Sequence, residues 1–282
     1  MSLAASAAIA TRVAPPRART TTPRRAVAKP LRVVSSASSG ASSQKIAVLG
    51  GTGFVGSRVV DILSQAGADV FSVSKSGGGP NGVALDLSDP ASAGALAEAL
   101  QGVYAVVSCV GFNPFGGDEA MSRAVNGDAN AAAAKTAAKA GVKRFVYVSV
   151  ASIVPEVIGG ANLMTGYFEG KTLAESAVSD AFAETDSLVV KPSFVYGGDA
   201  FSANPPRVTQ QYGEMLTKIL GSGFVKSVAD KMPGPIALTL AEPVAVDEVA
   251  RACAAGAIGV ADGVADGTDA IKKCAARMVD GR

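Results

Sequence analysis

The stretch Lys45–Gly56, KIAVLGGTGFVG, decides the fold. Its apolar run Ile46–Leu49 reads as a buried strand, its glycine cluster as a tight turn, and Phe54–Gln65 as a helix with apolar residues at helical spacing. Gly50, Gly53 and Gly56 take separate jobs in such a unit: the turn itself, backbone approach to a pyrophosphate, and close packing of helix on strand. Orphan N–H groups and the helix dipole favour negative charge at this place. The cradle expected here runs through Gly50, Thr52, Gly53, Phe54, Val55 and Gly56, and its expected ligand is a nicotinamide dinucleotide.

Outward from the turn, strand and helix patterns alternate at βαβ spacing. Strands are predicted at Asp69–Ser74, Val83–Leu85, Tyr104–Val110, Val142–Ser149 and Leu188–Val190, and helices at Ser92–Leu100 and Glu119–Ala140, the latter interrupted by Asn126, Gly127 and Asn130. Tyr104–Val110 is almost continuously apolar, as a strand covered by helices on both faces must be. The expected fold class is therefore α/β, a doubly wound parallel sheet of Rossmann type with a small C-terminal substrate-side annex.

Cofactor choice is read at the end of the second strand. An NAD-selective site places a carboxylate roughly 20 residues past the glycine turn to hold the ribose hydroxyls. Here the chain offers Ser74, Lys75 and Ser76, which suit a 2'-phosphate through charge-assisted hydrogen bonds. NADP(H) is thus favoured over NAD(H), the alternative for Lys75 being a solvated loop lysine. Asp86 and Leu87 follow the third strand, where the carboxylate can reach the adenine end. Val110 and Gly111 end the next strand, where a missing side chain lets backbone approach the cofactor, unless Gly111 simply makes a turn.

Tyr167 and Lys171 lie four apart in a stretch of helical periodicity that begins near Gly166, so their side chains share a face. Beside a nicotinamide, a phenol can trade the proton that accompanies hydride transfer, and an adjacent ammonium lowers its pKa and can bind a ribose hydroxyl. Taken alone, the pair reads equally well as a packed tyrosine and a surface lysine. Its place after a glycine fingerprint and a strand makes it more specific.

With these pieces assembled, the chain resembles the short-chain dehydrogenase/reductase superfamily in its extended or atypical branch. The resemblance rests on GGTGFVG at 50–56, LDLSD at 85–89, YVSVAS at 147–152, YFEGK at 167–171, VKPSFVYG at 190–197 and PVAVDEVARA at 243–252. It covers about residues 44–260. It implies that Tyr167 is the proton donor and Lys171 its modulator and a cofactor ligand. It also implies that Lys191–Gly197, with Pro192, closes over the nicotinamide, lysine standing where arginine is more usual. The catalytic hydroxyl of the superfamily falls on Val150, which has none to stabilise a developing oxyanion. Ser149 and Ser152 are the adjacent candidates.

The wording FSVSKSG, VVSCVG, YFEGK and VKPSFVYG is similar to the atypical group that includes the NAD(P)H-binding accessory subunit of respiratory complex I and proteins of ubiquinone synthesis. The expected function is accordingly an NADP(H)-binding oxidoreductase acting on a small or apolar carbonyl or alcohol, with quinone or lipid metabolism as its setting. Its rival is a non-catalytic nucleotide-holding subunit, peripherally associated with a thylakoid, a lipid body or a membrane complex.

Substrate-side elements are expected within about 192–243: a loop at Gly198–Pro206 and a short helix at Thr209–Leu220. Met215, Leu216, Ile219 and Leu220 give that helix an apolar stripe for core packing or for a substrate. Beyond it, Val244–Val246 reads as a strand, Asp247 as the cap of a helix Glu248–Ala255, and Ile271–Met278 as a terminal helix.

Residues 1–43 differ from everything after them. They hold Arg12, Arg17, Arg19, Arg24, Arg25, Lys29 and Arg32, and the first carboxylate of the chain is Asp61. This is the composition of a disordered organelle transit segment, followed by one domain at 44–282; a basic tail that binds nucleic acid or lipid is the alternative. Prolines at 15, 16, 23 and 30 break any long amphipathic helix and favour chloroplast over mitochondrion. Without those seven cations the 26 basic residues of the chain fall to 19 against 24 acidic ones, a net of −5, which removes the case for a nucleic-acid partner. No apolar run reaches membrane-spanning length. The absence of histidine excludes histidine triads, and Cys109, Cys253 and Cys274 lack metal-ligand spacing, so no metal is expected.

Overall fold

A computed structural model of the chain describes residues 44–112, 118–158, 164–198 and 242–280, together with Ser202–Ala203, Pro206–Arg207 and the single positions Gln211, Glu214 and Thr217. The expected transit segment 1–43 lies outside the described residues, as do Met215, Leu216, Ile219 and Leu220.

The central strands are β1 (Lys45–Leu49), β2 (Asp69–Ser74), β3 (Val83–Ala84), β4 (Ala105–Ser108), β5 (Arg144–Val148) and β6 (Ser187–Lys191). Two small pairs follow: β7 (Val195–Tyr196) lies parallel to β10 (Val244–Ala245), and β8 (Ser202–Ala203) antiparallel to β9 (Pro206–Arg207). A last strand, β11 (Gly263–Asp266), completes a seven-stranded sheet in the order β11-β6-β5-β4-β1-β2-β3, parallel throughout. Chain order runs outward in both directions from the β1–β4 boundary, and a ligand crevice is expected at the carboxyl ends of these two strands.

Because side chains alternate along a strand, each central strand feeds two cores. Ile46 and Val48 face one, with Val146, Leu188 and Val190. Ala47 and Leu49 face the other, with Phe145, Tyr147 and Val189. The first core is covered by α1 (Gly56–Gln65), α7 (Val246–Ala257) and α8 (Gly267–Asp280). The second is covered by α2 (Ala93–Ala99), α4 (Ala129–Lys139) and α6 (Thr165–Ala181). Each fully buried valine or leucine in these layers stabilises the fold by roughly 1.5–3 kcal/mol.

Several expectations change in detail. The helix expected from Phe54 begins at Gly56, and the one expected from Ser92 is a 3-10 turn, Pro90–Ser92, leading into α2. The region Glu119–Ala140 divides into α3 (Glu119–Arg123), a π-helical turn Ala124–Asp128 and α4; α5 (Ile153–Ile158) is a further short helix. Gly198–Pro206, expected to be loop throughout, contributes to the β8–β9 pair. Asp247 does not cap α7. Ala245 holds the cap position without a side-chain bond, and the Asp247 carboxylate sits 3.8 Å from Arg58 Nε on α1. Strand β11 has no counterpart in the sequence reading, since its four residues GVAD hold too few apolar side chains to register as a strand. Among the described residues no helix is long and apolar enough to cross a membrane.

Candidate functional site

The glycine turn is shaped for a close backbone approach. Gly50 adopts φ +75°, where a side chain would strain the backbone, and a Cβ there would lie 3.0 Å from the Cys109 carbonyl oxygen. A methyl at Gly56 would collide with the Gly50 carbonyl, so α1 can start against the turn only with glycine at that position. No side chain caps α1, and no acidic residue stands in its first turn. Thr52 and Gly53 are exposed and Phe54 and Val55 half-buried, so the helix start is lined by backbone and small groups. These residues fit a pyrophosphate. An anion there meets the positive end of the helix and displaces no carboxylate.

At the end of β2, Ser74 is buried, with its Oγ 3.4 Å from that of Ser76. Lys75 does not stand alone in the solvent: its Nζ pairs with Asp86 Oδ2 at 3.0 Å and donates to Ser88 Oγ at 3.4 Å. Asp86 also accepts from the backbone N–H and hydroxyl of Ser88, at 2.9 and 2.6 Å. Those two bonds are the main reason its pKa lies below the ordinary carboxylate value. Asp86 and Lys75 therefore meet across the expected adenine end, with Leu87 half-buried beside them.

Two buried asparagines organise the end of β4. Asn130 Oδ1 accepts from Ser108 Oγ at 2.6 Å, and its Nδ2 donates to the carbonyls of Val110, Val125 and Asn126. Asn126 Oδ1 accepts from Phe112 N at 3.1 Å, and its Nδ2 donates to Ser122 O at 2.8 Å. Val110 and Gly111 are thus held by side chains that read, in the sequence, only as interruptions of an alanine-rich helix. Gly111 is exposed, and a Cβ on it would lie 3.3 Å from Asn126 Oδ1.

Helix α6 crosses the π-helical turn at backbone contact. A Cβ at Gly127 would sit 2.6 Å from Gly170 Cα, and Glu119 Oε2 accepts from Gly166 N at 2.5 Å. That carboxylate serves the start of α6 where the preceding residue, Met164, lies in the left-handed region at φ +63° and provides no cap. The crossing sets Tyr167 and Lys171 at the carboxyl ends of β4 and β5. Lys171 Nζ donates to Val148 O at 2.9 Å and lies 5.0 Å from the Tyr147 ring and 5.6 Å from the Tyr167 ring. Burial pushes the Lys171 ammonium down to about 8, against a smaller raising effect of Glu175 and Cys109. Burial raises the Tyr167 phenol, opposite to the lowering expected from the neighbouring ammonium, and likewise pushes the Cys109 thiol up to about 12.

The three positions that could carry a catalytic hydroxyl differ in their surroundings. Val150 is buried in an apolar cluster with Ala151, Val154, Met164 and Phe168, against which Tyr167 packs. Ser149 is buried, and its Oγ donates to Glu175 Oε1 on α6. Ser152 is half-buried, with its backbone N–H donating to Asp266 Oδ1 at 3.2 Å. Glu175 also pairs with Lys191 Nζ at 3.1 Å, just before the buried Pro192, whose carbonyl accepts from Ala151 N. Glu175 escaped the sequence reading, although a carboxylate one turn past Lys171 was the available signal.

Comparisons with known proteins bear on the family and the fold. The sequence profile of the NAD(P)H-binding family matches residues 50–218. An uncharacterized chloroplastic protein of Arabidopsis thaliana is 36% identical over 219 residues, 74% of this chain and 70% of that one. The decarboxylating sterol-4-alpha-carboxylate 3-dehydrogenase of Mus musculus is 29% identical over 173 residues, 55% of this chain and only 47% of its own length. Among solved structures, the Bordetella bronchiseptica enzyme WbmH in complex with NAD+ has a TM-score of 0.57 at 19% identity, covering 85% of this chain and 81% of that one. The dTDP-4-dehydrorhamnose reductase of Bacillus anthracis in complex with NADP has a TM-score of 0.53 at 12% identity, covering 84% and 81%. At such identities the structural likeness shows a shared fold.

Proposed function

Given that the chain belongs to the NAD(P)H-binding family, we propose that it is an NADP(H)-dependent reductase of short-chain dehydrogenase/reductase type acting on a small or apolar carbonyl in a plastid. The observation that carries this reading is the Tyr167–Lys171 pair, held at the same end of the sheet as the glycine turn, with Lys171 Nζ on the Val148 carbonyl. The bound dinucleotide supplies the hydride. Gly50, Thr52, Gly53, Phe54, Val55 and Gly56 would hold its pyrophosphate, with Asp86 and Leu87 at the adenine, Val110 and Gly111 along its length, and Lys171 and Pro192 at the nicotinamide end.

Tyr167 then acts through its phenol oxygen. Its phenol, partly buried against the apolar cluster, stays protonated through the neutral range, so its Oη–H can donate to the alkoxide that develops as a carbonyl is reduced. A raised phenol pKa favours this direction over alcohol oxidation, which needs a phenolate. Lys171, placed between the two tyrosine rings, steadies the phenolate that is left. The apolar surroundings of Tyr167, with Val150 among them, support an apolar substrate such as a quinone or a lipid-derived carbonyl.

The preference for NADP(H) rests on Ser74, Lys75 and Ser76 and on the absence of a carboxylate among them. Lys75 is largely exposed, its side chain retaining 68% of its accessible surface, and can turn from Asp86 to a 2'-phosphate. The plastid assignment rests on the basic, carboxylate-free segment 1–43 together with the chloroplastic relative. One observation favours a second reading, a nucleotide-holding subunit without turnover: the Ser149 hydroxyl is committed to Glu175, and Val150 offers none. Titration with NADPH and NADH, followed by a screen of quinones and aldehydes with Tyr167→Phe as control, separates the two. Turnover that disappears in the variant supports the reductase. Tight binding with no turnover supports the subunit, and no binding of either dinucleotide defeats both.

A further inference from the structure

The geometry points to Glu175 as a positioning residue for Lys171: the carboxylate that ties β5 and β6 to α6 also sets the protonation of the lysine one helical turn before it. Two neighbouring residues at the end of β5 are bound by two neighbouring turns of α6. Val148 O accepts from Lys171 Nζ, and Ser149 Oγ donates to Glu175 Oε1. Residues four apart share a helix face, so the Glu175 carboxylate and the Lys171 ammonium lie side by side against the same strand end. The other carboxylate oxygen is taken by Lys191 Nζ at 3.1 Å, at the end of β6, with both side chains mostly withdrawn from water.

This arrangement assigns Ser149 a role different from the one its position suggests. A carboxylate only accepts, so the serine must donate, and its proton is directed at Glu175. Ser149 thereby orients the carboxylate. Lys191 acts in the opposite sense, because its positive charge neutralises part of the field that Glu175 projects on Lys171. The other groups facing Lys171 are Tyr167 on its own helix, Tyr147 on β5 and Cys109 after β4, all of them protonated and neutral near pH 7. Arg123, on the helix packed against α6 from the other side, is turned to Asp128 and Glu169 at the exposed surface. Among the described residues Glu175 is therefore the anion that holds the proton on Lys171, and Lys191 is its counterweight. This inference rests on reading Tyr167 and Lys171 as the proton-transfer pair.

The test reads Lys171 directly in the full-length protein, carrying 13C at the lysine ε-carbons. Its resonance is assigned by its disappearance in Lys171→Arg and followed with pH. In Glu175→Gln, which keeps an acceptor for Ser149 while removing the charge, the Lys171 midpoint is expected to fall by about 1 pH unit. In Lys191→Met it is expected to rise by roughly 0.5 pH unit. If either single variant folds poorly, the double variant Glu175→Gln/Lys191→Met removes both partners of that ion pair together, and its midpoint is expected below that of the parent. A midpoint unmoved in Glu175→Gln, or moved in the same direction by both single changes, overturns the proposal. A merely structural role for Glu175 would not give opposite signs. Dinucleotide does not enter this measurement, so a protein that bound neither NADPH nor NADH would defeat the proposed function and leave this result standing.

Discussion

Two buried cations, one at each end of β5, show how differently the two ends of this sheet are used. Arg144 enters the strand at its amino end, and all three guanidinium nitrogens are consumed by backbone: Nε by Gly256 O at 2.8 Å, one terminal nitrogen by Thr185 O at 2.8 Å, the other by Ala261 O at 2.9 Å. Asp186 lies 4.0 Å away at the surface. Lys171, at the carboxyl end, has one carbonyl and two aromatic faces, and burial holds its ammonium at about 8. A planar cation with fixed donors closes the loops at the amino end. A point charge whose proton is easily lost stands at the end where the glycine turn opens. Poorly matched charge of this kind collects at functional sites in proteins, and the proposed function places one at this end.

The contrast breaks most visibly at Arg144. Arg144→Met leaves three carbonyls without their donor, and urea unfolding should show a loss of about 3 kcal/mol or more, with dinucleotide affinity unchanged in the folded fraction. Gly56→Ala tests the other end. Forcing a methyl against the Gly50 carbonyl should cost about 1–3 kcal/mol and, unlike Arg144→Met, weaken NADPH binding in a fluorescence titration.

Lys171→Met sharpens the comparison through pH. Since the folded-state pKa of Lys171 lies near 8 and its ordinary value is 10.5, the unfolded chain binds more protons between those values. Stability should therefore rise with pH through that window as the penalty of the buried ammonium is relieved. The variant should be no less stable than the parent at pH 7, and its contribution to the rise should vanish in denaturation curves taken from pH 7 to 10.5. Dinucleotide binding should suffer nonetheless. The smallest effect belongs to Ser72 on β2, whose buried hydroxyl has no hydrogen-bond partner among the described residues. Ser72→Ala should be neutral or stabilising by up to about 1 kcal/mol in the same unfolding assay.

Much of the fold was legible because its signals are local. The apolar runs of β1, β4 and β5, the glycines of the turn and the alanine-rich region after Glu119 each announce themselves within a dozen residues. Strand β11 was not legible: a four-residue edge strand with alternating exposure, GVAD, depends on pairing with β6 rather than on its own composition. The cap assigned to Asp247 was wrong because a carboxylate near a helix start has competing partners, and Arg58 on α1 is one of them. In the site, the glycine cradle and the Tyr167–Lys171 pair could be read from spacing. Ser149 could not, since no sequence rule says which way a residue leaving a strand will turn.

What the sequence by itself determined is the strand–turn–helix unit, the alternation that makes the sheet doubly wound, and the residue types available at the crevice. Apolar periodicity and glycine stereochemistry act over short distances and carry that information locally. Only the tertiary structure decided that Ser149, Glu175 and Lys191 form one network, that Lys75 meets Asp86, and that Arg144 closes the opposite end. Those partners come from separate strands and helices, and strand register and helix crossing must bring them together before any hydrogen bond can choose between them.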